Sequence, residues 1–261
     1  MPDTLLIATA EGVRSIRLNR PDRHNAFDDA VILDLTAAFG AAAADPGVRA
    51  VVLAAEGRSF SAGGDLNWMR RTADYSHAEN LADAKALARL MEAVDGCPKP
   101  VLCVVQGAAY GGGVGLVACC DLVVAAEDAR FCLSEVKLGL APAVISPYVV
   151  RAIGARAARR YFLTAEVFDA PTAARLGLVH EVVPADRLAD RRDAWLRQLK
   201  ANAPGGMAAA KGLVRRAAEE PLGQALRDWT AERIAELRAS DEGREGIRAF
   251  LEKRKPNWAE E

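Results

Sequence analysis

Apolar and polar residues alternate over Val13–Leu18. Ile16 and Leu18 fall on one face and Ser15 and Arg17 on the other, the period of a strand with one buried side. With Leu5–Ala10 this segment predicts a hairpin across Glu11-Gly12. Three unbroken apolar runs of strand length follow, Ala50–Ala55, Val101–Val105 and Leu122–Ala126. Helical stretches separate them. Asp28–Ala44 is alanine-rich and stops near Asp45-Pro46-Gly47, and Ala78–Val94 runs up to a break at Gly96, Pro98 and Pro100. Strands alternating with helices predict an α/β fold with crossover connections.

The pattern changes at Ala201-Asn202-Ala203-Pro204-Gly205-Gly206, which reads as a linker. It divides a core region, 1–200, from a helical region, 201–261. The latter predicts helices at Met207–Glu219, Leu222–Ala239 and Asp241–Lys253. Pro221 would open the second and Ser240-Asp241 would cap the third. Leu222, Leu226 and Trp229 fall on one helical stripe that needs covering.

Two of the apolar runs empty into glycine. Ala50–Ala55 leads to Ser59-Phe60-Ser61-Ala62-Gly63-Gly64-Asp65-Leu66, and Val101–Val105 to Gln106-Gly107-Ala108-Ala109-Tyr110-Gly111-Gly112-Gly113-Val114-Gly115. A strand that turns through glycine into a helix start leaves backbone N–H groups free and admits a ligand closely. Two such turns side by side can aim two N–H donors at one oxygen atom. That is the geometry of an oxyanion hole, suited to a thioester carbonyl becoming an enolate. Nucleotide loops fail in register. A dinucleotide fingerprint starting from Gly111 and Gly113 requires glycine where Leu116 stands, and a P-loop requires lysine where Gly113 follows Gly112.

Composition narrows the field. With 34 basic and 35 acidic residues in 261, nothing global calls for nucleic acid or an anionic membrane. Val101–Cys120 carries no charge over twenty residues, but five glycines interrupt it and Pro100 opens it. It therefore reads as a buried strand, turn and helix rather than a membrane span. Met1-Pro2-Asp3-Thr4 shows no leader pattern, and the five cysteines lack zinc-ligand spacing. Reduced thiols and a cytoplasmic location are the expectation, with no metal site.

Several short motifs, in order along the chain, now add up. They are Asn19-Arg20-Pro21 with Asn25-Ala26-Phe27; Phe60-Ser61-Ala62-Gly63-Gly64-Asp65-Leu66; Gly107 through Asp121; Phe131 with Ser134-Glu135 and Leu138-Gly139-Leu140; Ala173-Ala174-Arg175-Leu176-Gly177-Leu178-Val179; and Glu245-Gly246 with Ala249-Phe250. In this set the chain resembles the crotonase superfamily, the enoyl-CoA hydratases and isomerases. The resemblance implies a crotonase-like spiral of ββα units with a C-terminal helical trimerisation region. It also implies a homotrimer or a hexamer of paired trimers, an acyl-CoA substrate, and no cofactor beyond the coenzyme A of that substrate. It makes the N–H groups of Gly64 and Gly112 the oxyanion donors, and it puts Arg23, Ala26, Ala62, Asp65, Leu66 and Gly111 at the CoA site.

Glu135 lies in the otherwise apolar Leu133-Ser134-Glu135-Val136. By itself it reads as a glutamate turned outward at a strand end. With the resemblance it becomes the proton-transfer group, its pKa raised by desolvation. Hydratases of the family usually carry a second glutamate two residues after the glycine triplet, where this chain has Gly115. Two carboxylates hold and activate a water, whereas one suffices to move a proton between two carbons. Gly115 thus favours an isomerase or an atypical hydratase, and it predicts open space beside the substrate. The sequence around Glu135, continuing through Ala143-Val144-Ile145-Ser146-Pro147 and Ala157–Thr164, is similar to bacterial hydratases of branched, carboxylated enoyl-CoA esters of the methylglutaconyl-CoA type. The expectation is a hydratase of a branched 2-enoyl-CoA, with a delta-isomerase as the alternative. A catalytically weak scaffold or RNA-binding relative is the reading of another class. For it, Arg151, Arg156, Arg159 and Arg160 would have to be more than a solvated helix face.

Overall fold

The computed structural model describes residues 4–259. β1 (Leu5–Ala10) and β2 (Val13–Leu18) pair antiparallel, Leu5 opposite Leu18 and Ala10 opposite Val13. Glu11 and Gly12 both take positive φ, 49° and 74°, as a two-residue hairpin turn demands. There follow α1 (Asp29–Ala44), β3 (Ala50–Ala55), α2 (Leu66–Ala73), α3 (His77–Asp95), β4 (Val101–Val105), β5 (Ala108–Tyr110) and α4 (Gly112–Cys119). Next come β6 (Leu122–Ala126), β7 (Arg130–Cys132), α5 (Ser146–Thr164), β8 (Phe168–Asp169), α6 (Ala170–Leu176) and β9 (Glu181–Val183).

The strands form two sheets, one in the order β1-β2-β3-β4-β6-β9 and a smaller one, β5-β7-β8. From β2 onward the larger sheet is parallel. Its central strands, β3, β4 and β6, are apolar at every position and largely buried, the pattern of strands covered on both faces. The chain repeats one move. A strand in the large sheet is followed by a short step into the small sheet and then a helix, as in β4–β5–α4 and β6–β7–α5. After β3 the step is a single residue, Ser61, which bridges Ala109 of β5 before α2 begins. This is the spiral of ββα turns. Ile32, Leu35 and Phe39 of α1, Leu90 and Met91 of α3 and Leu116 of α4 fill the space beside the sheets and are fully buried.

Helix starts follow local chemistry. The Asp28 side chain caps α1 at the Val31 N–H, and Ser76 with Glu79 forms a capping box on α3. Within α5, Gly154 has φ 74° and ψ 154° and divides the helix in two. No helix of the described residues is long and apolar enough to cross a membrane.

Residues through Cys97 together with Val101–Arg192 make one compact unit, and Pro98–Pro100 with the residues from Asp193 onward make a second. The second unit holds most of α7 (Leu188–Ala201), then α8 (Pro204–Glu219), α9 (Gln224–Ala239) and α10 (Asp241–Leu251). Three expectations fail here. The 201–206 stretch is not a linker, because α7 runs to Ala201 and α8 already begins at Pro204. Gly205 and Gly206 suit a first turn in which both N–H groups donate to the Glu242 carboxylate, at 3.0 and 2.8 Å. Pro221 follows α8 instead of opening α9, whose N-cap is Gly223. The Leu222 stripe dissolves in consequence. Leu222 lies outside the helix and 82% exposed, Leu226 is buried, and the Arg216 guanidinium lies 4.2 Å from the centre of the Trp229 ring.

One glycine fixes the step between the sheets. Gly107 has φ +57°, and a Cβ there would lie 2.0 Å from the Arg58 carbonyl oxygen. Gly107→Ala is expected to cost about 3 kcal/mol or more through backbone strain and overlap. The check is thermal unfolding, in which Gly40→Ala, where a Cβ meets nothing within 4 Å, should be close to neutral.

Candidate active site

The geometry of the second glycine turn leaves little choice of residue. Gly111 takes φ 51° and ψ −119°, a conformation that residues with a Cβ avoid, and its N–H donates to the Cys132 carbonyl at 2.9 Å. α4 starts immediately after it. Val114 and Gly115 return their N–H groups to the Gly111 carbonyl, while the Gly112 N–H has no acceptor among the described residues.

The first turn leaves a matching group. Phe27 pairs with Gly64 as a parallel bridge. The Phe27 N–H donates to Gly63 and the Asp65 N–H to Phe27, each at 2.7 Å. A parallel bridge made through the flanking residues points the N–H of Gly64 the other way, where it finds no acceptor among the described residues. Gly64 is exposed and Gly112 half-buried, so both groups are open to a ligand.

The two turns and Glu135 meet at Gly111. A Cβ built there would lie 3.4 Å from Glu135 Oε1 and 3.9 Å from the Gly63 Cα. Glu135 is not at a strand end. It begins a short 3-10 turn, Glu135–Leu138, two residues beyond Leu133, and it faces inward. Its Oε2 is buried and has no hydrogen-bond partner among the described residues. Burial raises its pKa above the ordinary glutamate value, and a bond from its own backbone N–H offsets only part of that.

The residues expected at the CoA site fall in two groups. Ala62 and Leu66 are exposed, and Arg23 is half-exposed and ion-paired to Asp65 at 3.2 Å. Ala26, Asp65 and Gly111 are buried. The Asp65 carboxylate is taken up within the fold, capping α2 at the Asn67 and Trp68 N–H groups. Burial works to raise its pKa, but those two N–H groups, Arg23 and Arg20 together hold it below the ordinary aspartate value. Among the described residues no group of three or more His, Cys, Asp or Glu gathers as metal ligands would.

The family description "Enoyl-CoA hydratase/isomerase" matches residues 8–261. The chain belongs to the enoyl-CoA hydratase/isomerase family, the crotonase superfamily. It is 33% identical to the 2,3-dehydroadipyl-CoA hydratase of Escherichia coli over 97% of this chain and 98% of that one. An enoyl-CoA hydratase from Shewanella pealeana superposes with a TM-score of 0.96 at 47% identity, covering 98% of this chain and 96% of that one. Pseudomonas aeruginosa AtuE superposes with a TM-score of 0.95 at 42% identity, covering 99% and 100%. The fold is therefore the crotonase-like α/β fold, with helices in its C-terminal region.

At the position where hydratases of the family usually carry their second glutamate, one expectation is overturned. Gly115 does not leave open space. A Cβ there would lie 2.3 Å from Ile145 Cγ2, 2.9 Å from Ile145 Cβ and 3.2 Å from the Met91 sulfur. Ile145, at the N-cap of α5 and 2% exposed, fills that volume. This contact joins residues thirty positions apart and leaves no mark in local patterning. Ser61, Phe27 and Arg20 were visible only as motif members.

Gly115→Glu should therefore destabilise the protein by about 3 kcal/mol or more, through overpacking and a buried carboxylate. Adding Ile145→Ala should return part of that loss. A double-mutant cycle on unfolding free energy checks the coupling, expected at roughly 1–3 kcal/mol.

Proposed function

We propose that the protein adds water across the 2,3 double bond of a branched 2-enoyl-CoA. One observation carries the reading: the unspent N–H groups of Gly64 and Gly112 belong to two turns that converge, with a desolvated carboxylate, around Gly111. In this mechanism the thioester oxygen accepts from both N–H groups. Glu135 takes a proton from water as the water oxygen bonds to C3. The C2–C3 π pair moves to form an enolate, whose negative oxygen the two donors stabilise. Glu135 then gives its proton to C2. Nothing is oxidised or reduced, so the reaction needs no cofactor beyond the coenzyme A of the substrate. The start of α4 adds its positive dipole end at Gly112. A carboxylate whose pKa is raised both accepts and returns the proton readily. Leu66, Leu138 and Leu140, exposed beside Gly64 and Glu135 in the chain, offer apolar contact to a branched acyl group. On this reading Arg23, Ala26, Ala62, Asp65, Leu66 and Gly111 line the CoA site. The chain works in the cytoplasm as a trimer or a pair of trimers, checked by light scattering.

A second reading, isomerisation of a 3-enoyl-CoA, draws support from the Gly115–Ile145 contact. With Ile145 in the place of a second acid, one carboxylate moves every proton. Assays with crotonyl-CoA, 3-methylglutaconyl-CoA and a 3-enoyl-CoA separate the two. Dominant turnover of the last would favour isomerisation.

Glu135→Gln should lower kcat about a hundredfold or more while acyl-CoA binding survives. It also carries a stability signature. A glutamate whose folded pKa is raised stabilises the fold below the ordinary glutamate pKa and loses that contribution as pH rises through the raised value. Glutamine has no proton to lose. The variant should therefore melt above wild type at pH near 8 and level with it at pH near 4. Gly112→Val should abolish turnover, because a Cβ there already lies 2.9 Å from Phe27 Cδ2. Near wild-type kcat in either variant would overturn the assignment.

A further inference from the structure

Arg20 sits apart from the reacting groups, yet both glycine turns trace back to it. Its side chain is only 14% exposed. Nη1 is ion-paired with Asp28 Oδ2 at 2.7 Å and donates to the Ala26 carbonyl at 3.1 Å, and Nη2 donates to Asp65 Oδ2 at 3.2 Å. Each of these carboxylates is a helix N-cap. Asp28 caps α1 through the Val31 N–H at 3.0 Å, and Asp65 caps α2 through the Asn67 and Trp68 N–H groups at 2.8 and 3.2 Å. One guanidinium therefore ties together the starts of two helices.

Those caps flank the residues that matter. Asp65 follows Gly64 directly. Asp28 follows Phe27, whose backbone bonds to Gly63 and Asp65 on either side of Gly64. The Phe27 ring lies against Gly112, at 2.9 Å from where a Cβ would stand. Phe27 thus touches one donor turn with its backbone and the other with its ring, and Arg20 holds the chain on both sides of that contact. The loop is anchored at its base as well. The Asn25 side-chain oxygen accepts from the Arg20 N–H at 2.8 Å, and the Asn25 amide nitrogen donates to the Glu56 and Ser59 carbonyls.

We propose that Arg20 is a positioning residue for the reaction: by bridging the caps of α1 and α2 it sets the spacing between the Gly64 and Gly112 N–H groups. This rests on the hydratase reading above. Only arginine serves, because its planar fork reaches two carboxylates and a carbonyl at once, whereas an ammonium group on a flexible stem reaches one carboxylate. Small displacements of such donors cost rate more than affinity.

The test uses dimethylaminocinnamoyl-CoA, whose conjugated absorption band moves to longer wavelength when its thioester carbonyl is polarised. Wild type should bind it with a red shift. Arg20→Gln should still bind it saturably, within about threefold in Kd, but with at least half the shift lost. Its kcat, measured well below its Tm and corrected for folded fraction, should fall about ten- to a hundredfold with KM nearly unchanged. Asp65→Asn keeps a capping oxygen and removes the charge, so it should lose the shift in the same way. If Arg20→Gln does not fold, Arg20→Lys carries the same readout, and added guanidinium should partly restore the shift in either variant. A full red shift with kcat within twofold of wild type would overturn the role of Arg20. A wild type that shows no shift, together with a Glu135→Gln variant that turns over normally, would instead bring down the hydratase reading.

Discussion

The structure depends on two backbone turns packed more closely than side chains would permit. At Gly107 the approach of the Arg58 carbonyl leaves no room for a Cβ, and at Gly111, beside Gly63 and the Glu135 carboxylate, a φ of 51° disfavours any residue that has one. That closeness places two helix starts beside each other with unspent N–H groups. In the proposed mechanism those groups face the oxygen on which charge develops. Fixed donors of this kind need no reorganisation during the reaction, which is why a rigid backbone site is effective.

Glu135 meets the opposite constraint. Its carboxylate is brought inward by a short 3-10 turn, and one oxygen is buried without a partner among the described residues. An unpaired buried carboxylate works against the stability of the fold, and the same desolvation lifts its pKa toward the range of a proton shuttle. With Ile145 packed on Gly115, the proposed reaction has a single ionisable group for both proton steps. Around this pair of features the fold is tied by ordinary devices. Asp28, Asp65 and Ser76 cap helices, and Arg20 joins two of those caps.

What the sequence determined is mostly local or periodic. Alternation over Val13–Leu18 and the unbroken apolar runs of β3, β4 and β6 identified these four strands to the residue, because a buried strand needs every position apolar and a polar residue ends it, whereas the short β5, β7, β8 and β9 carry no such run. The register of the glycines excluded nucleotide loops, and the family resemblance marked the N–H groups of Gly64 and Gly112. The ordered motifs carried the family, and with it Glu135 as the acid. The tertiary structure decided what depends on residues far apart meeting. Gly205 and Gly206 read as a linker until Glu242 supplied acceptors for their N–H groups and made them a helix start. Leu222, Leu226 and Trp229 read as a stripe until α9 began two residues beyond Leu222. Gly115 read as empty space, because a missing side chain in a sequence carries no record of which neighbour moves in. Ile145 does so from thirty residues away, and only packing shows it. Arg20 was one letter of a motif. Its bridge between two helix caps exists only once α1 and α2 start side by side.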